Sequence, residues 1–119
     1  MLTKFGKELR ALRLERDELL RDMADKLGVT VAYLSAIENG KRRIPDEWIQ
    51  KISAIYNLSE EKEEKLQEYA YEDKNEIRIN MEGITMDQRN LVYSFARRFQ
   101  NLDTGDIKEL QNVLDKRRR

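Results

Sequence analysis

Residues 20–43, LRDMADKLGVTVAYLSAIENGKRR, decide the fold of this chain. Gly28 follows an apolar helical pattern and stands where a chain leaving a helix needs a positive φ, which glycine adopts at little cost. Thr30 comes next, and its hydroxyl suits the capping of a new first turn. Asn39-Gly40 supplies a second helix stop. The segment therefore predicts two short helices joined by a tight turn, the second running from residue 30 to about residue 39.

This pattern resembles the helix-turn-helix of the lambda-repressor-like family of Xre or Cro-type regulators. The matching positions are Ala24, Gly28, Leu34 and Ile37 at their fixed offsets, together with the run IENGK at residues 37–41. The offsets alone fit any packed pair of helices, whereas the IENGK run makes the match specific. The resemblance covers residues 3–58. It implies an all-α fold with a five-helix DNA-binding domain, whose second motif helix enters the major groove.

Composition excludes several classes of function. The 119 residues contain no Cys and no His, so thiol chemistry, the usual zinc ligands and the usual general base are all missing. The sequence predicts no catalytic cluster, no metal site and no cofactor, and hence no enzyme. Its longest apolar runs are only a few residues and its charged N-terminus lacks an apolar signal core, so we expect no membrane segment and a cytoplasmic location.

Net charge gives no general sign of nucleic-acid binding. The chain has 23 basic and 23 acidic residues, whereas a strongly basic domain is the usual footprint of such proteins. Residues 1–58 hold 11 basic and 9 acidic side chains, and residues 59–119 hold 12 and 14. The placement of the cations therefore matters more than their number, and Lys41-Arg42-Arg43 stand directly after the predicted recognition helix.

The recognition helix is predicted to bury Leu34 and Ile37 and to present small side chains on its outer face. Its base-reading positions hold no Gln, Asn or Arg, so we expect contacts with thymine methyls, a reliance on DNA shape and help from flanking cations. An alternative is that this smooth face binds protein. The predicted DNA-binding residues are Arg21, Thr30, Val31, Ala32, Tyr33, Ser35, Ala36, Asn39, Lys41, Arg42 and Arg43.

The resemblance also implies an internal ion pair between Arg13 and Glu38, which would tie the first helix to the end of the recognition helix. Two positions depart from the family pattern. Leu19 stands where many members have a Ser or Thr that caps the helix, and its apolar side chain cannot cap. Leu20 stands where many members have a Gln that contacts a phosphate, and leucine cannot donate that hydrogen bond. Arg21 is the nearest substitute for that phosphate contact.

The helices around the motif follow from simple patterns. Phe5, Leu9 and Leu12 share one face and predict a helix over residues 3–14. Pro45 followed by two acids predicts a helix that begins at residues 44–47. Ser59 caps a fifth, largely acidic helix, which should face away from DNA. The first domain is thus predicted to cover residues 1–72.

Residues 73–84 do not show the helical apolar period of the segments on either side. Ile77, Ile79 and Met81 alternate with polar residues, which is typical of a short extended segment. A lone strand leaves its backbone groups unpaired, so a strand here would need a partner. Two interpretations stay open: an extended linker, or a strand that pairs with the same segment of a second subunit.

Residues 85–119 are predicted to form a helical hairpin. Thr85 and Gln88 make a capping box, and two apolar stripes follow on either side of a break at residues 103–105. A unit of this size buries too little surface to be stable alone. Its apolar face must therefore pack on the first domain or on a second copy. We favour a homodimer, since lambda-repressor-like proteins usually bind two half-sites. The predicted dimerisation residues are Ile77, Ile79, Leu91, Phe95, Phe99, Ile107, Leu110 and Leu114.

The sequence therefore favours a sequence-specific transcriptional regulator that binds double-stranded DNA. We expect a repressor that acts as a homodimer on a near-palindromic operator. The alternative is an antitoxin or other partner-binding protein, whose C-terminal half holds a second protein and whose helix-turn-helix serves autoregulation. The exposed apolar stripes of the C-terminal half motivate this alternative.

Overall fold

A computed structural model describes residues 1–117, so the last two residues of the predicted C-terminal element lie outside the described residues. The chain divides into two units, Met1–Arg78 and Ile79–Arg119. The predicted all-α class is confirmed. Over the described residues the helices are α1 (Lys4–Glu15), α2 (Leu20–Leu27), α3 (Val31–Glu38), α4 (Trp48–Tyr56), α5 (Glu60–Lys74), α6 (Met86–Arg98) and α7 (Thr104–Lys116), with a short 3-10 helix at Phe99–Asn101.

The N-terminal unit packs its five helices around one apolar core. Helix α1 contacts α2, α3 and α5, while α4 contacts α2 and α5. Each helix contributes one apolar stripe, because residues three and four apart lie on the same face. The buried apolar residues are Phe5, Leu9, Leu12, Met23, Ala24, Leu27, Leu34, Ile37, Ile44, Trp48, Ile49, Ile52, Tyr56, Leu66 and Ala70.

Both helices of the motif end in the same hydrogen-bonded turn. Gly28 has φ +72°, and the N–H of Val29 donates to the carbonyl of Ala24 at 3.0 Å. Gly40 also has φ +72°, and the N–H of Lys41 donates to the carbonyl of Ala36 at 2.8 Å. This six-to-one bond after a left-handed residue is the Schellman motif, which satisfies carbonyl groups that the helix leaves free. The two glycines therefore fix where each helix ends and in which direction the chain leaves.

The N-terminus of α1 lies directly against the C-terminus of α3. The N–H and the hydroxyl of Thr3 both donate to the carbonyl oxygen of Glu38, at 3.0 and 3.2 Å. Gly6 is buried at this crossing, and a Cβ built there would lie 2.2 Å from the same oxygen. The missing side chain of Gly6 is thus what allows the two helices to approach so closely.

The predicted start of the fourth helix is wrong by a few residues. Residues 46 and 47 form a turn, and α4 begins at Trp48, whose N–H donates to the carbonyl of Pro45 at 3.1 Å. Pro45 therefore opens a turn that leads into the helix. The predicted domain boundary at residue 72 falls within the last turn of α5, which ends at Lys74 and is capped by Asn75 at φ 56°.

The second unit holds two helices and the chain that leads to them. No strand is present over residues 75–85 in this single chain, so pairing with a second subunit stays a prediction. Thr85 and Gln88 form the predicted capping box at the start of α6. Among the described residues, neither α6 nor α7 has a buried side chain. No helix over residues 1–117 combines the length and apolar composition needed to cross a membrane.

The close crossing of α1 and α3 generates a stability prediction. Gly6→Ala places a methyl group 2.2 Å from the backbone oxygen of Glu38. This clash can be relieved only if α1 and α3 move apart. We expect the free energy of unfolding to fall by about 2 kcal/mol or more, although alanine favours helices intrinsically. Urea unfolding followed by the fluorescence of Trp48, the single tryptophan, would measure it.

Gly105→Ala is the matched control, because its Cβ would meet only a side-chain oxygen of Asp103 at 3.3 Å. This variant should leave the Trp48 transition in place. An unchanged transition for Gly6→Ala would show that the two helices separate more easily than their packing indicates.

Candidate DNA interface

The outer face of α3 is smooth and carries little hydrogen-bonding capacity. Leu34 and Ile37 are fully buried and anchor the helix, so the opposite side is available to a ligand. Val31 and Ala32 are exposed, while Ser35 and Ala36 are partly exposed. Small side chains leave the helix backbone accessible, and such a helix can lie deep in a groove of DNA.

The two ends of α3 are held by their own side chains. The hydroxyl of Thr30 accepts from the N–H of Tyr33 at 3.0 Å, which caps the first turn. The side-chain amide of Asn39 donates to the carbonyl of Ser35 at 2.8 Å, so this group is folded onto the last turn. Thr30 and Asn39 thus hold the helix ends, and each keeps further polar atoms for a ligand.

The predicted cations fall into two groups. Arg21, Lys41 and Arg42 are exposed and have no acidic partner among residues 1–117. Arg43 differs, because its guanidinium donates to the carboxylate of Glu76 at 3.0 Å. Three of the four predicted cations are therefore free to meet an anion.

A small ion-pair cluster extends from this loop to the end of the N-terminal unit. Asp46 accepts from Lys74 at 3.0 Å and from Arg78 at 3.2 Å. The hydrogen bond from Lys74 holds the pKa of the Asp46 carboxyl below its usual value. The chain after α5 thus begins by running alongside the loop that follows the recognition helix. Sequence reasoning missed this cluster, because its members lie about 30 residues apart.

Aromatic side chains lie beside the recognition helix. The guanidinium carbon of Arg42 lies 5.4 Å from the centre of the Tyr33 ring. Tyr33 in turn meets Trp48 edge to face, with ring centres 6.0 Å apart and an interplanar angle of 74°. Trp48 is buried in the core, so the three side chains form a row from the interior to the surface.

The structure brings Arg13 and Glu38 together in the pair that the resemblance implied. Both are buried, with exposures of 7% and 3%. The guanidinium forms two hydrogen bonds with the carboxylate, one of them 3.1 Å long, and also approaches the sulfur of Met23 at 3.3 Å. This fork-to-fork geometry satisfies both charges and joins α1 to the end of α3.

A second polar cluster at the α1–α2 connection was not foreseen. The Tyr56 hydroxyl donates to Glu18 at 2.7 Å, and Lys26 also bonds to Glu18. Partial burial opposes ionisation of Glu18, but the hydrogen bonds from Lys26 and Tyr56 still lower the pKa of its carboxyl. Burial, with the bond to Glu18, raises the pKa of the Tyr56 hydroxyl. These contacts help to fix the start of α2, where Leu19 has no hydroxyl with which to cap the helix. The N–H of Leu19 donates instead to the carboxylate of Asp22 at 2.7 Å.

The predicted dimerisation residues lie on the surface of the single chain. Leu91, Phe95 and Phe99 on and just after α6 are 66%, 51% and 48% exposed. The rings of Phe95 and Phe99 stack with centres 5.8 Å apart. Ile107, Leu110 and Leu114 on α7 are exposed as well, as are Ile77 and Ile79 in the chain between α5 and α6.

Comparison with known proteins agrees with this geometry. A family model described as helix-turn-helix matches residues 9–62. Residues 9–62 thus carry a helix-turn-helix domain of the lambda-repressor-like type. The predicted helix-turn-helix resemblance is thereby confirmed over residues 9–62. The assignment of α2 and α3 as the two motif helices stays a prediction.

Two relatives from Bacillus subtilis (strain 168) extend the comparison. The HTH-type transcriptional repressor RghR is 48% identical over 44 residues, which cover 37% of this chain and 33% of that protein. The chain thus spans about a third of that repressor's length. The uncharacterized HTH-type transcriptional regulator RghRB is 25% identical over 126 aligned positions, which cover 96% of this chain and 91% of that protein. No solved structure gives a significant match.

The buried ion pair generates a prediction about the helix-turn-helix domain. Glu38→Ala leaves the buried guanidinium of Arg13 without its counter-charge, which should lower the free energy of unfolding by about 3–5 kcal/mol. Urea unfolding followed by Trp48 fluorescence would measure the loss.

The double variant Arg13→Leu, Glu38→Leu is the control, because it removes both charges and keeps apolar volume at the crossing. It should recover most of the loss, since replacing a whole buried pair is often close to neutral. A double variant as unstable as the single one would mean that the hydrogen bonds of the pair, rather than an unpaired charge, determine the effect.

Proposed function

We propose that this chain is a sequence-specific DNA-binding transcriptional repressor that acts as a homodimer. The observation that carries the proposal is the surface of α3, whose small outer side chains adjoin the free cations Lys41 and Arg42. A groove-sized helix next to unpaired positive charge suits the major groove and the phosphates that border it. The similarity to the transcriptional repressor RghR supports the direction of regulation.

Binding would combine weak base readout with phosphate contacts. Val31, Ala32 and Ala36 offer methyl groups to thymine, and Ser35 offers a hydroxyl to either kind of base edge. Lys41 and Arg42, with Arg21 on α2, would neutralise phosphates and release counterions, which makes affinity fall as salt rises. The dimer would repress by occupying the promoter and excluding polymerase. This role requires no catalysis.

The dimer proposal rests on the second unit. Helices α6 and α7 bury none of their described side chains, and a unit of this size needs a partner surface to be stable. Leu91, Phe95 and Phe99 recur every four residues along α6 and its end, so they form one stripe that a second copy of the same helix can cover. A two-fold dimer also matches two half-sites of an operator about one helical turn apart, on the order of 10 bp.

The same exposed stripe favours one other function. A second protein could cover Leu91 and Phe95 instead of a second copy, as in an antitoxin that binds its toxin. DNA binding would then serve autoregulation of the pair. The two proposals differ in what occupies α6 and α7, and a measurement of mass in solution separates them.

Selection of binders from a random duplex library, with the purified chain at near-physiological salt, tests the main proposal. We expect a two-fold symmetric motif. Ala36→Glu should then lower affinity for the selected duplex by at least ~100-fold, because it places a carboxylate against the phosphates and base edges. Gln67→Glu on α5 adds the same charge elsewhere and is the control. If Ala36→Glu still binds the selected duplex, α3 does not lie in the groove.

The dimer surface is tested by Phe95→Glu, which buries a charge in the proposed interface. Sedimentation equilibrium should show the dimer dissociation constant raised by about 100-fold or more. Asn90→Glu, an exposed polar position on the same helix, should leave it unchanged. A dimer that survives Phe95→Glu must use another surface. A wild-type monomer that purifies from its own cells with a stoichiometric small protein would favour the partner-binding function.

A further inference from the structure

Arg42 and Arg43 are neighbours in sequence but have opposite surroundings. The guanidinium of Arg43 is bound to the carboxylate of Glu76, and Glu76 is also 4.0 Å from Arg78. Arg42 has no carboxylate partner among residues 1–117, and its guanidinium lies over the ring of Tyr33 instead. One arginine is therefore paired with a carboxylate within the protein, and the other is not.

The surface under Arg42 is held in place by the core. Tyr33 belongs to the first turn of α3, where its N–H is bound by the capping hydroxyl of Thr30. Its ring meets Trp48 edge to face, and Trp48 is only 3% exposed and packs in the core of the N-terminal unit. A ring supported in this way restricts the rotation of a long side chain that lies on it.

A cation–π contact and an ion pair use a guanidinium differently. A planar guanidinium that lies on an aromatic ring keeps its N–H donors, which point outward in its own plane. An ion pair with a carboxylate occupies donors and cancels the charge. Arg42 is thus held in place while its donors stay available, and the two oxygens of a phosphate match the spacing of two such donors.

We propose that Tyr33 is a positioning residue that holds Arg42 for a contact with a DNA phosphate beside the recognition helix. Arg43, by contrast, ties the chain after α5 to the loop that follows α3. The inference rests on the proposed DNA-binding function and adds to it an unequal role for two adjacent arginines. It also changes the expected role of Tyr33 from a direct contact with DNA to a support for Arg42.

A double-mutant cycle tests the inference, with the selected duplex and a scrambled duplex of the same composition as probes. Arg42→Ala should weaken binding to both duplexes by about 10-fold and lower the slope of log affinity against log salt by about 0.9 per lost contact. Tyr33→Leu should weaken binding roughly 2- to 5-fold, the range for an exposed cation–π contact. In the Arg42→Ala background, Tyr33→Leu should have no further effect.

Two variants separate positioning from a general structural effect. Tyr33→Phe keeps the ring, so its affinity should recover towards that of the wild type, whereas Tyr33→Leu should not. Arg43→Ala removes the same charge as Arg42→Ala but should weaken binding less. In the free protein, the side-chain NMR signals of Arg42 should show a ring-current shift that Tyr33→Leu abolishes and Tyr33→Phe retains. Far-UV circular dichroism checks that each variant folds.

The failures of the inference and of the proposed function are distinguishable. If the wild type selects a duplex but the effects of Tyr33→Leu and Arg42→Ala are simply additive, the positioning role is wrong and DNA binding stands. If Tyr33→Phe binds as weakly as Tyr33→Leu, the hydroxyl contacts DNA directly and the inference is overturned. If the folded wild type selects no duplex although Arg42 shows its ring-current shift, the proposed function fails and the phosphate contact fails with it.

Discussion

Glu38 is the residue on which the N-terminal unit most depends. Its carbonyl oxygen accepts two hydrogen bonds from Thr3, its side chain pairs with the buried Arg13, and its backbone lies against Gly6. Helix α1 is thereby fixed at two places to the end of the recognition helix. The orientation of α3 relative to the core is thus set by polar bonds as well as by the apolar contacts of Leu34 and Ile37.

The same end of α3 also controls where positive charge is presented. The Schellman turn at Gly40 fixes the direction in which the chain leaves the helix, so Lys41 and Arg42 follow at a defined place. A chain with zero net charge can bind a polyanion if its cations are grouped and its acids lie elsewhere. Here the first turns of α5 collect the acids Glu60, Glu61 and Glu63.

The second unit raises a different physical problem. Its helices are well capped, by Thr85 with Gln88 at α6 and by Asp103 with Asp106 at α7. Capping defines where a helix begins but contributes only about 1 kcal/mol, and short helices are stabilised mainly by packing of an apolar face. Their apolar stripes are exposed in the single chain. In the proposed dimer, these stripes supply the surface on which the two copies meet.

The sequence by itself determined the all-α class, the family, the two motif helices and the starts of most others. Those signals are local: an apolar period of three to four residues, a capping hydroxyl at Thr30, a glycine after each motif helix. Only the tertiary structure decided the cluster around Glu18 and Tyr56, the pairing of Arg43 with Glu76, and the position of Arg42 over the Tyr33 ring. These contacts join residues far apart in the chain or depend on side-chain direction, which no periodicity encodes. Two adjacent arginines look alike in sequence because their difference lies entirely in their neighbours.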